Sequence, residues 1–143
     1  MSRNYYSSHE NASASNWDLL VELFGKKSSV KLIKPERYNS VYDGILRINN
    51  TDILIEVKRR QFTNETLVNK YDGKLFLEEA KYRYLHSRAR QIKTDTGRDT
   101  KIWYLSKTSD GVIYIHDIYK KSFTWQDDRM NYKTYGNSSK VLK

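Results

Sequence analysis

Residues 41–58 constrain the fold more than any other stretch of the chain. Two apolar runs, 41–48 and 51–58, flank Asn49-Asn50. That dipeptide tolerates the left-handed backbone of a tight two-residue turn, so an antiparallel hairpin is expected. The register that pairs Ile48 with Thr51 sets Asp43 directly opposite Glu56. Directly opposed Cβ atoms lie about 4.5–5.5 Å apart. Strand alternation puts Lys58 on the face of Glu56, one step further along and about 7 Å away. Ile53, Ile55 and Val57 fall on the other face, a stripe suited to a core.

Two carboxylates at that separation repel one another unless something positive lies between them. A hard divalent cation resolves the repulsion. Mg²⁺ takes oxygen ligands, keeps several waters and fills the rest of its shell from phosphate. It also acidifies a bound water and screens a scissile phosphate. An ammonium alongside, as Lys58 would be, can orient that water and offset developing charge. The acid-x-Lys pattern alone carries little weight, since Asp72/Lys74, Glu79/Lys81 and Asp99/Lys101 repeat it. Only Glu56/Lys58 lies within an apolar run with an acid facing it. The competing reading is a surface hairpin with incidental acids, or a diagonal Asp43–Lys58 salt bridge.

Around the hairpin, Ser15-Asn16-Trp17-Asp18 resembles a capping box. Trp17, Leu20, Val21 and Phe24 then follow at helical spacing until Gly25. Residues 29–34 read as a strand ended by Pro35, 74–93 as a long helix, and 101–106 and 112–118 as strands around Asp110-Gly111. The order α-β-β-β-α-β-β predicts an α/β fold, a central mixed sheet flanked by helices. Three regions are expected: a loose arm over 1–14, one domain over 15–119 and a basic extension over 120–143. The extension reads either as a tail or as a late element ordered by Phe123 and Trp125.

A chain of 143 residues suffices for one domain. Its 26 Lys and Arg against 17 Asp and Glu give a net charge of +9. That charge is uneven, for residues 10–57 net −1 and residues 58–143 net +9. An acidic site facing a basic wall fits this asymmetry, as does a basic surface serving solubility alone. The absence of cysteine excludes disulfides, thiolate zinc sites and Cys nucleophiles. Three histidines are too few for a zinc site without cysteine, and His9, His86 and His116 are read as structural. No apolar run approaches the roughly 20 residues that span a bilayer, and no signal-peptide core is visible. A cytoplasmic protein, bacterial or in a phage-infected host, with a polyanionic partner is expected. With aromatics this plentiful, nucleic acid is a commoner partner than a membrane.

Tyr42-Asp43-Gly44 with Ile53-Leu54-Ile55-Glu56-Val57-Lys58 resembles the PD-(D/E)XK nuclease superfamily, over roughly residues 15–118. The chain departs from the family name in carrying Tyr42 where the proline stands. The resemblance implies a restriction-endonuclease-like core and metal-dependent hydrolysis of DNA phosphodiesters. It implies Asp43 and Glu56 as ligands of Mg²⁺, with Mn²⁺ as a substitute, the Val57 carbonyl as a further ligand and Lys58 positioning the water. A further carboxylate on the leading helix is common in the family. Glu22 matches it best with Asp18 in reserve, and an exposed helix-face acid is the equal alternative.

Arg59 and Arg60 follow Lys58 and should project beside such a site. In the predicted helix, Lys74, Lys81 and Arg88 recur every seven residues, with Arg83 and Arg90 in a parallel row. These seven residues are the expected contacts to DNA phosphates, although a solvated helix face would show the same pattern. Small size and a Lys/Asn/Tyr-rich composition resemble a phage or mobile-element homing endonuclease. A Holliday junction resolvase is the next reading, and a non-catalytic DNA-binding module is the rival from another class. Either enzyme is expected to work as a homodimer on double-stranded or branched DNA, because one metal site cuts one strand.

Overall fold

The computed structural model describes residues 5–35, 42–123, 125 and 132–135, with side chains over 15–35, 42–123 and 125. Asn49 adopts a positive φ of 53°, as the tight turn requires. Strand β2 (Gly44–Ile48) therefore returns as β3 (Thr51–Arg59), with Ile48 opposite Thr51 and Gly44 opposite Ile55. β1 (Lys31–Ile33) pairs antiparallel with β2. β5 (Asp99–Lys107) runs parallel to β3, and β6 (Ile113–Asp117) pairs antiparallel with β5. The resulting sheet, β1-β2-β3-β5-β6, is mixed and central, the architecture expected from the sequence.

Alternation along β3 separates two cores. Ile53, Ile55 and Val57 pack with Leu19 and Leu20 of helix α1 (Tyr5–Phe24). Leu54 turns the other way, towards Leu85, Ala89 and Ile92 of helix α3 (Glu79–Thr96). Both faces of β3 are thus covered, which buries its centre and makes any charge on it expensive. Gly44 lets α1 close on the sheet, since a Cβ there would meet Leu20 Cδ1 at 2.7 Å.

Three expectations require correction, and one left open, the late element over 120–143, is decided. Residues 5–14, read as a loose arm, belong to α1, and no Gly or Pro interrupts 5–24. A short helix, α2 (Asn64–Tyr71), was not expected, because Leu67 is its only buried side chain and leaves little periodicity to read. Local capping defines it instead: the Thr63 side chain accepts from the Thr66 N–H, and Asp72 closes the helix in a left-handed conformation at φ 56°. The helix expected over 74–93 begins only at Glu79, and Leu75–Glu78 forms strand β4. β4 pairs with β7 (Tyr132–Tyr135) in a separate two-stranded sheet, so the extension over 120–143 contains a strand. Phe123 and Trp125 pack on Tyr82 of α3, at 5.6 and 5.4 Å between ring centroids.

Candidate active site

The paired register ends at Gly44–Ile55, which leaves Asp43 just before β2, close enough for its charge to act on Glu56. The Asp43 N–H donates to the carbonyl of Ile55, the residue already paired with Gly44, at 2.8 Å, so the regular ladder is broken here in the manner of a bulge. Asp43 Oδ2 accepts from the Val57 N–H at 2.8 Å, and Oδ1 accepts from Asn16 Nδ2 at 3.4 Å. A strand residue directs its N–H and C=O to the same neighbour. The Val57 carbonyl therefore leaves on the edge beside Asp43, as a ligand there would have to.

Burial pushes the Asp43 carboxyl up, against the hydrogen bond from Val57. Glu56 is pushed up to about 8, first by burial and second by the charge of Asp43. The pair is thus under electrostatic tension that a cation relieves. Two cations face Glu56. Lys81 Nζ on α3 lies 3.7 Å from Glu56 Oε1, and the charge of Lys58 also draws the Glu56 pKa down. Among the described residues no three His, Cys, Asp or Glu side chains gather in one place. Two carboxylates and a backbone carbonyl suit a hard ion that retains most of its water, which is the behaviour of Mg²⁺.

On the neighbouring strand, Tyr104 pairs in register with Glu56. Its hydroxyl is pushed up to about 12, mainly by burial. Arg60 Nη2 donates to the Phe76 carbonyl at 2.9 Å and approaches Tyr104 Oη and Ser106 Oγ at 3.4 Å each. The Arg60 Nε is buried and has no hydrogen-bond partner among the described residues.

No family model matches the chain, and no curated protein matches it. Among solved structures it is similar to Hjc of Archaeoglobus fulgidus, a Holliday junction resolvase from an archaeal hyperthermophile. The TM-score is 0.51, with 18% identity over 76% of this chain and 73% of that one. The chain shares the fold of this resolvase. The resemblance drawn from Asp43, Glu56 and Lys58 thereby holds at the level of the resolvase-like fold.

Not every expected residue reaches the pair. Glu22 and Asp18 lie exposed on α1. The α1 side chain that touches Asp43 is Asn16, and sequence reading missed it. A signal existed, for Asn16 is a polar residue one turn before Leu20 and two before Leu23 on the apolar stripe. Lys81, expected on DNA, is instead joined to Glu56. Arg60, expected to project, is held inside by Phe76, Tyr104 and Ser106. Lys74 is exposed but precedes β4, so it shares no helical stripe with Lys81 and Arg88.

The remaining basic residues keep to the surface. Arg59 is exposed and donates to Asn16 Oδ1 and to the Ser15 carbonyl, each at 3.0 Å. Arg83 is tied to Glu79 at 2.8 Å, Arg88 donates to Gln91 Oε1 at 2.7 Å, and Arg90 is exposed. His86 lies buried, its Nδ1–H directed to the Tyr82 carbonyl while its Nε2 accepts from the Lys120 N–H, each at 2.8 Å. Burial and the Arg90 and Lys120 charges hold its pKa down, so it is a neutral packing group as expected.

Proposed function

We propose that this chain is a divalent-metal-dependent DNA endonuclease acting on four-way junctions. The observation that carries the reading is the juxtaposition of Asp43 and Glu56 beside the β2–β3 hairpin, with Lys58 and Lys81 near them. The shared fold with a Holliday junction resolvase supports branched DNA as the substrate, ahead of the site-specific homing cut that composition favoured. No helix among the described residues is long and apolar enough to cross a membrane, which is consistent with a nucleic-acid partner.

A hard divalent ion held by Asp43, Glu56 and the Val57 carbonyl would acidify an attacking water and screen the phosphate charge. The other tasks fall to the chain. Glu56 must release the proton that its buried, acid-flanked position favours. Lys58 orients the nucleophilic water and offsets the charge that develops on the phosphate. Lys81 restrains Glu56 from the helix side. Arg59, Arg83, Arg88 and Arg90 hold flanking phosphates, which fix register without reading sequence. One site cuts one strand, so two copies related by a two-fold axis would resolve a junction.

The test is to incubate the protein with a synthetic four-way junction, supercoiled plasmid and single-stranded RNA, with and without Mg²⁺. Cleavage of the junction alone, and only with Mg²⁺, is the expected result. Cutting of plain duplex at one site would return the homing reading, and binding without cutting in Mg²⁺ or Mn²⁺ would make the chain a binding module.

A further inference from the structure

Arg59 touches neither carboxylate, yet it determines which way Asn16 faces. An asparagine amide offers two donors at one end and an acceptor at the other, whereas a guanidinium can only donate. With Arg59 Nε at 3.0 Å, the acceptor end of Asn16 must point at Arg59. The amide nitrogen is thereby turned to Asp43 Oδ1 at 3.4 Å. Arg59 is itself pinned, because its Nη2 donates to the Ser15 carbonyl at 3.0 Å. The second oxygen of Asp43 is held by the Val57 N–H at 2.8 Å. With both oxygens engaged, rotation of the carboxylate is stopped, and its remaining lone pairs are available to an ion shared with Glu56. The amide does this without adding a third negative charge to a pair that already repels.

We propose that Arg59 and Asn16 form a positioning relay that orients Asp43 for the metal ion, linking the exposed end of β3 to the metal site. The proposal rests on the nuclease reading. Arg59 lies next to Lys58 in the chain, and its Nη1 carries two further donors that a DNA phosphate can engage while Nε stays on Asn16. A phosphate bound there would rigidify the relay at the moment substrate arrives.

The sign of one effect separates the relay from simple electrostatics. Removing a cation near a metal site should by itself tighten metal binding, because Arg59 lies close enough for its charge to act on Asp43. Loss of the relay acts the other way, since outer groups that orient ligands typically contribute about 10–100-fold in metal affinity. Mn²⁺ is titrated calorimetrically, without DNA, into the full chain and into Asn16→Ala, Arg59→Met and the double variant, each checked for folding by circular dichroism. Arg59→Gln replaces Arg59→Met should the latter not fold. The expected result is about tenfold weaker Mn²⁺ binding in each single variant and no further loss in the double. Unchanged or tighter binding by Arg59→Met, or losses that add in the double variant, would overturn the relay while leaving the metal site standing. A parent protein that binds no Mn²⁺ would overturn the relay and the metal reading together.

Discussion

Lys81 Nζ lies 3.7 Å from Glu56 Oε1, so helix α3 delivers a cation to the middle of a buried strand face. Both side chains are largely covered, at 32% and 15% exposure. Lys81 offsets part of the cost of burying Glu56, but burial and the charge of Asp43 still dominate. The result is a carboxyl that keeps its proton near neutrality until something more strongly charged than an ammonium replaces it.

Metal-free stability should therefore fall as pH rises. The folded state holds the Glu56 proton up to about 8, against an ordinary value of 4.5. Stability is greatest below the ordinary value and is lost progressively across that window, with a slope of at most about 1.4 kcal/mol per pH unit. Asp43, also raised, adds in the same direction. Asp52, held down by Arg47 and Arg98, loses its contribution only as pH falls into the acid range, outside this window. Urea unfolding in chelator at pH 5, 6.5 and 8 should show the decline, and Glu56→Gln should flatten it. A parent protein equally stable at all three would contradict the burial of an ionisable pair.

Glu56→Gln should also abolish cleavage while junction binding stays equal or becomes tighter. The amide removes one of two negative charges from the surface that meets phosphate, and with it a metal ligand. Gel-shift binding in Ca²⁺ beside cleavage in Mg²⁺ separates the two effects. Cleavage within about threefold of the parent would refute the assignment of Glu56.

Proton release should accompany metal uptake. Because Glu56 is protonated in much of the metal-free population at pH 7, binding an ion expels that proton. Calorimetric Mn²⁺ titrations at pH 7 in buffers of different ionisation enthalpy should give a release of about 0.5–1 proton per ion. Apparent affinity should rise between pH 6 and 8.

The β2–β3 hairpin was legible because Asn49-Asn50 fixes both the turn and the register from Ile48–Thr51 to Gly44–Ile55. That register brings Asp43 close to Glu56, although Asp43 itself departs from the regular pairing by bonding the Ile55 carbonyl. The second carboxylate partner was not legible as Asn16, because a helix's angular position over a sheet depends on packing, here of Trp17 and Leu20 beside Gly44. Residues 75–78 read as helix since Leu75 and Leu77 lie next to a strongly periodic segment. What makes them a strand is pairing with Tyr132–Tyr135, more than fifty residues away. Arg60 looked like a DNA contact because sequence shows its charge and not the Phe76 carbonyl that takes it inward.

Arg60 should accordingly behave as a structural residue. Arg60→Ala removes one donor to Phe76 and one partner of Tyr104. The Tyr104 hydroxyl still reaches the Phe76 carbonyl at 3.3 Å, so the loss is that of individual bonds, about 0.5–1.5 kcal/mol each. The expected outcome is a loss of a few degrees or more in Tm, with the salt dependence of junction binding unchanged in protein that remains folded. A drop in the salt slope without loss of stability would return Arg60 to the DNA surface.

The two basic residues of α3 that point to different environments provide the sharpest contrast. Lys81 is committed to Glu56, whereas Arg90 is exposed and joined to no carboxylate in the contacts described. Lys81→Met should leave the salt slope of junction binding unchanged and lower cleavage, because Glu56 loses a restraint and its proton becomes harder to remove. Metal-free Lys81→Met should also be less stable than the parent at pH 8 and nearly equal at pH 5, where Glu56 is neutral in both. Arg90→Ala should instead weaken binding uniformly across substrates and reduce the magnitude of the slope of log K against log salt by about 1, with cleavage of bound junction intact. Were Lys81→Met to reduce that slope as Arg90→Ala does, its contact with Glu56 would be incidental, and Lys81 would belong with the phosphate-binding residues after all.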